Sequence, residues 1–124
     1  ARKQAEAELA KQTARLRAVF ESSSHLMWTV NRRMQMTSFN QNYARLIQTN
    51  LNRSTKVNVS VEQFGWQLMG TENRRAVEDR YRQAFRGAPQ YFEVQLNTKA
   101  GDLWYEMHLN PILLADGSIE EVSG

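Results

Sequence analysis

The last third of the chain alternates between apolar and polar residues with the two-residue period of a β-strand. From Gln90 to Asn97, Phe92, Val94 and Leu96 share one register. From Leu103 to Asn110, Leu103, Tyr105, Met107 and Leu109 oppose Trp104, Glu106, His108 and Asn110. Successive strand side chains point to opposite sides of a sheet, so this pattern suits an antiparallel meander with one face buried. Lys99-Ala100-Gly101-Asp102 supplies a short Gly-containing turn between the two runs. After Pro111, Ala115-Asp116-Gly117-Ser118 carries an Asp-Gly pair. That pair is a strong hairpin signal, with positive φ expected at both turn residues.

The preceding part of the chain alternates less and coils more. Residues 1–22 contain neither Gly nor Pro, are rich in Ala and read as one continuous helix. Leu9 and Leu16 lie one heptad apart, with Ala5, Gln12 and Val19 in the second seam. Glu8 and Lys11 are spaced for an exposed ion pair. A helix of this length is marginal alone in water, so it needs a partner. A second copy and the sheet of its own domain are the two alternatives. Ser22-Ser23-Ser24 breaks the helix, Leu26 to Val30 reads as a strand, Asn31-Arg32-Arg33 as a turn, and Met34 to Phe39 as a returning strand. Asn40 can N-cap a short helix carrying Tyr43, Ala44, Leu46 and Ile47, and Thr49 to Asn58 reads as loop. Ser60 with Gln63 forms a capping box for a helix reaching Leu68-Met69 and ending at Gly70. Thr71 can cap the next helix, which presents Val77, Tyr81, Ala84 and Phe85 on one side and ends at Gly87 and Pro89. A helix, two strands, several short helices and three strands make an α+β arrangement.

At 124 residues the chain holds one domain with a modest core plus an appendage. The appendage is 1–22 and the domain is 23–124. No apolar run approaches the roughly 18 residues of a membrane span, which argues against membrane insertion, and the N-terminus lacks the apolar stretch of a secretory signal. With no Cys there is no disulfide or thiolate chemistry, which fits a cytoplasmic setting. The net charge is +3, but Arg32-Arg33, Arg74-Arg75, Arg80, Arg82 and Arg86 are scattered and interleaved with Glu78 and Asp79. A nucleic-acid footprint should cluster on one face, so a solvated mixed-charge exterior is the better reading.

Several stretches, in order, resemble the PAS domain, a sensory and dimerising module. Leu16 to Phe20 with Glu21-Ser22-Ser23 is similar to the segment leading into the first PAS strand. Asn40 after Phe39 resembles the Asn closing the second strand. Arg86-Gly87 resembles the end of the long central helix, and Trp104-Tyr105-Glu106, Pro111 and Asp116-Gly117 resemble the closing strands. The resemblance covers about residues 17–124 and implies a five-stranded antiparallel sheet with short helices on one face. In the family the last strand usually runs on to a motif near Asp-Ile-Thr. The stop at Glu121-Val122-Ser123-Gly124 therefore reads as a truncated strand of an excised piece. The coiled-coil-like lead-in suggests a sensor histidine kinase as parent, one that can itself be membrane-anchored, although cyclases and other regulators use similar modules.

The same resemblance raises cofactor questions that residue types answer. Light-sensing flavin and coumaroyl-binding members use a Cys, which is lacking here, and haem-binding members offer a His from the central helix. Glu72 to Arg86 contains none. No cofactor is therefore expected, although noncovalent flavin without adduct chemistry stays open. His25 and His108 are far apart, and neither stands at a metal-ligand spacing with a carboxylate. Gly-x-Ser-x-Gly, a phosphate-cradling Gly loop and HExxH are all missing. Glu106 and His108 share a register suitable for acid–base work, but Asn110 beside them favours a solvated face.

Trp28, Tyr43, Phe85, Phe92 and Tyr105 are expected to point between sheet and helices. There they either line a small-ligand pocket or fill it, and in so small a core filling is favoured. Trp104, in the opposite register from Tyr105, should face outward as a contact surface. Leu9, Leu16, Val19, Phe20 and Trp104 are the expected dimer contacts. The resulting expectation is a non-catalytic sensor or dimerisation domain, working through packing and helix register with neighbouring signalling domains and with a second copy as partner. A receptor with an occupied pocket is the alternative, and a small α+β enzyme a more distant one.

Overall fold

In the computed structural model, residues 2–124 are described. A long helix α1 (Arg2–Ser22) precedes strands β1 (Trp28–Asn31) and β2 (Met36–Phe39) and helix α2 (Gln41–Leu51). Two 3-10 turns, Val61–Gln63 and Gly65–Leu68, lead to helix α3 (Thr71–Phe85). Strands β3 (Gln90–Thr98), β4 (Gly101–Leu113) and β5 (Ile119–Ser123) complete the chain. The five strands form one antiparallel sheet in the order β2-β1-β5-β4-β3. The last strand thus lies at its centre, between β1 and β4, and the α+β architecture is the one expected.

The two-residue period governs the hairpin as anticipated. Val94, Leu96, Met107 and Leu109 are buried beneath α3, while Tyr91, Glu93, Trp104, Glu106 and His108 face away. Leu103 keeps its register but lies beyond the core and is exposed. Val77, Tyr81, Ala84 and Phe85 are buried along α3, the four positions its apolar stripe predicts.

Local chemistry moves several boundaries. The Asn31 Oδ1 accepts from the amides of Arg33 and Gln35, both at 3.0 Å, and Met34 takes φ 60°. This side-chain turn tightens the β1–β2 connection, with the Asn31 amide donating to the Gln35 carbonyl and Gln35 bridging Ser60, and β2 proper begins at Met36. Asn40 caps α2 by accepting from the Tyr43 amide at 3.0 Å. The helix runs to Leu51, three residues into the expected loop, and stops at Asn52 in the left-handed region. Ser60 accepts from the Glu62 amide rather than forming a box with Gln63, and two 3-10 turns replace the expected single helix. Thr71 is the first residue of α3, and Gly70 precedes it without a side-chain cap.

Both hairpin turns differ from what their sequences suggest. Thr98 pairs with Gly101, leaving Lys99-Ala100 as the whole β3–β4 connection. Between β4 and β5 only Gly117 has positive φ, at 85°, and Asp116 does not. The Gly117 amide donates to the Leu114 carbonyl, while the Leu114 amide donates to the Ser118 carbonyl. That is a turn followed by a bulge, which needs one left-handed residue rather than two. The Asp116 carboxylate instead accepts from the Ser118 amide and hydroxyl, which hold it below its ordinary pKa.

α1 buries no residue: Leu9, Leu16 and Val19 are 66%, 72% and 62% exposed, and only Phe20 is partly covered. The folded-back alternative is therefore not the arrangement seen. The ion pair on this helix joins Arg2 to Glu6 at 3.3 Å rather than Glu8 to Lys11.

Candidate functional site

Between sheet and helices lies a cavity of about 600 Å³, within the range of small-molecule sites. The sheet contributes Trp28, Val94, Leu96, Tyr105 and Met107 to its wall. α2 contributes Tyr43 and Leu46, the 3-10 region Val61, Trp66 and Met69, and α3 Val77 and Tyr81. Phe20, Ser24 and His25 border it on the side of α1, and Glu106, His108 and Asn110 on the side of β4. β5 pairs with Asn110 to Leu113 of β4, and β3 pairs with Tyr105 to Leu109.

The polar groups inside are few and mutually satisfied. The Trp28 indole Nε1 donates to the Tyr81 hydroxyl at 2.7 Å, across 53 residues of sequence. The Trp28 and Tyr43 rings lie 5.3 Å apart, tilted by 39°, a favourable aromatic arrangement. The Tyr43 hydroxyl accepts from the Gly65 amide at 3.0 Å. A Cβ on residue 65 would meet that oxygen at 2.8 Å, so Gly permits the close approach. Burial pushes both phenols well above the usual range, against the opposing pull of Gly65 on Tyr43 and of Trp28 on Tyr81. Both are neutral hydroxyls at physiological pH. None of the residues bordering the cavity is Lys or Arg, and its one carboxylate is Glu106 on the β4 side, so the lining is mainly apolar and offers no strong cation to a phosphate or carboxylate.

Buried Asn40 organises the rim on the α1 side. Its Oδ1 accepts from the amides of Met27 and Tyr43, and its Nδ2 donates to the carbonyls of Phe20 and His25 at 3.0 and 2.9 Å. One side chain thereby fixes the end of α1, the lead-in to β1 and the start of α2.

Solved structures share this arrangement at low sequence identity. An RNA-binding light-oxygen-voltage receptor superposes with a TM-score of 0.69 at 14% identity, over 94% of this chain and 32% of its own. The chain therefore spans about a third of that receptor's length. The PAS domain of an HTR-like protein from Haloarcula marismortui matches with a TM-score of 0.66 at 17% identity, over 98% and 94% of the two chains. A domain of a sensory box sensor histidine kinase/response regulator from Geobacter sulfurreducens matches at 0.59 and 20% identity, over 93% and 92%. The chain has the PAS fold. No family model and no curated protein matches its sequence.

Within this PAS fold, the residues expected to face inward divide. Trp28, Tyr43 and Tyr105 border the cavity. Phe85 lies instead under the Arg32 guanidinium at 5.2 Å, and Phe92 under that of Arg80 at 5.0 Å. Both rings seal the far side of the core. Trp28, Tyr43 and Tyr105 line this space rather than fill it, with Trp28 hydrogen-bonded to Tyr81 and packed against Tyr43. Sequence patterning missed Trp66 and Met69, whose 3-10 turns have no amphipathic repeat. Phe20, an expected dimer contact, borders the cavity. Trp104 faces outward and is 67% exposed. Glu106 and His108 share the outer register as expected, where His108 stacks against Tyr91 with centroids 4.6 Å apart. Among the described residues no group of three His, Asp or Glu is placed to hold a metal, and no helix is long and apolar enough to cross a membrane.

Proposed function

We propose that this chain is a non-catalytic sensory module of a signalling protein, in which a neutral, mainly apolar small molecule in the cavity is read out at the end of α1. The carrying observation is that Phe20 belongs to the last turn of α1 and also borders the cavity. Its carbonyl is tied through Asn40 to the helix bearing Tyr43. A ligand resting on Tyr43 and Phe20 would thereby bias the register or direction of α1. Such a helix shift is the bistable element that relays of this kind use. α1 and the segment beyond β5 are where neighbouring signalling domains would couple, those of a histidine kinase among them. The similarity to a sensor histidine kinase domain supports that setting. A merely filled core would need neither the open volume nor the neutral hydroxyls around it.

Native mass spectrometry against the denatured mass tests for a retained molecule, and Nile red serves as a neutral probe. Extra mass, or saturable dye binding that Leu46→Trp weakens, is expected. Hydrogen exchange at residues 20–27 should slow on binding. A clean mass together with no saturable binding overturns the receptor reading, and binding without altered exchange overturns the relay.

A further inference from the structure

The bonds that satisfy the two buried phenol oxygens have a direction. An indole N–H and a backbone amide can only donate, so Trp28 makes the Tyr81 oxygen an acceptor, and Gly65 does the same to that of Tyr43. Each phenol keeps its own O–H hydrogen, and among the described residues neither hydrogen has an acceptor. Burial holds both groups protonated through the physiological range, so these donors are not lost to ionisation. The two are neighbours: after burial and the opposing Trp28 bond, the Tyr43 phenol adds to the upward push on Tyr81. Both side chains border the cavity, and so do Trp28 and Gly65, which bond to them.

The cavity thus has a polarity within its apolar lining: at the two phenols it offers hydrogens without the oxygens to take them. Glu106, His108 and Asn110, which can accept, lie on the β4 side of its border. A buried donor left unpaired is costly, so a guest with an acceptor oxygen is favoured over one of the same shape without it. An anionic acceptor would be buried with no Lys or Arg at the border to neutralise it. A carbonyl oxygen is uncharged and has a lone pair for each phenol. Trp28, Tyr43 and Trp66 add aromatic walls suited to a ring-bearing frame. We infer that the molecule held in the cavity is a neutral carbonyl compound, an apolar frame whose C=O accepts from the Tyr43 and Tyr81 hydroxyls. The inference rests on the receptor reading above and gives that reading its ligand class.

Equilibrium dialysis of the whole chain against fluorenone and fluorene, two rigid molecules that differ in the carbonyl, tests it. Fluorenone should bind about tenfold more tightly. Its carbonyl stretch in the bound state should fall below the value in hexane, the mark of an accepted hydrogen bond. Tyr43→Phe with Tyr81→Phe should bring the two affinities within about twofold of each other and return the carbonyl band toward its hexane position. Circular dichroism checks the fold of that variant, and if the fold is lost the affinity ratio and band position in the unmodified chain decide. Equal affinities overturn the inference and leave the receptor reading standing, as does binding of Nile red but of neither probe. Failure of all three to bind overturns both. A fluorenone preference that persists in the folded double variant also overturns the inference, and moves the carbonyl to the polar border at His25 or Asn110.

Discussion

The two faces of the β3–β4 hairpin are built from alternate residues of the same strands, yet they have opposite chemistry. Inward, Val94, Leu96, Met107 and Leu109 are buried, and the nearest polar groups are the neutral hydroxyls of Tyr43 and Tyr81. Outward, one register away, Glu93 faces Glu106 across the ladder between an exposed Tyr91 and an exposed Trp104. The inner face serves the core and borders the cavity. The outer face carries a like-charge pair and two exposed aromatics. One sheet thus separates an apolar, cavity-bearing side from a charged and exposed one, with α1 adjoining the first at Phe20.

The comparison breaks most visibly if stability does not follow the face. Leu109, fully buried, should cost about 2–5 kcal/mol when changed to Ala, while Trp104→Ala should stay within about 0.5 kcal/mol in the monomer. Urea denaturation of both variants at low protein concentration checks this. Equal losses would mean that the outer face is part of the fold's own support. Next in size is Tyr81→Phe, which deletes the acceptor of the Trp28 indole and strands a buried N–H, a loss of about 1–3 kcal/mol. A neutral result would show that water in the cavity can replace the hydroxyl.

How much of this was legible follows from what each element depends on. The strands and α3 were readable because a half-buried strand and a one-sided helix print their periods directly on the sequence. Asn40 was readable as a cap, although its two further bonds to Phe20 and His25 depend on tertiary placement. Trp66 was not, because a 3-10 turn lacks a repeating face and Gly65 matters only through its approach to a Tyr 22 residues away. The open cavity was also hidden: residue sizes argue for filling, and the Trp28–Tyr81 and Tyr43–Gly65 bonds that fix where these rings sit link residues far apart in sequence. The acidic outer face was present in the alternation, but its like-charge pair depends on the ladder register, which the length of the Lys99-Ala100 turn sets.

A smaller effect sharpens the inner face by pH. Burial raises the phenols of Tyr43 and Tyr81 well above the ordinary tyrosine value of 10.0 in the folded chain. A group with a raised folded pKa keeps its contribution below the unfolded pKa and loses it as pH climbs past that value. Stability should therefore be flat below about pH 10 and fall above it, by up to about 1.4 kcal/mol per pH unit for each buried phenol. Absorbance at the phenolate band should show those two tyrosines ionising only as the protein unfolds. Early, reversible ionisation of every tyrosine would contradict the dry, neutral interior.

The smallest expected effect tests whether the like-charge pair costs the hairpin stability. Glu93→Gln removes one member of the pair while keeping size and hydrogen bonding, so the chain should gain about 0.2–1 kcal/mol. Thermal unfolding of the substituted and unsubstituted chains checks this. An unchanged midpoint would mean that solvent already relieves the pair, and the contrast between the two faces would reduce to burial.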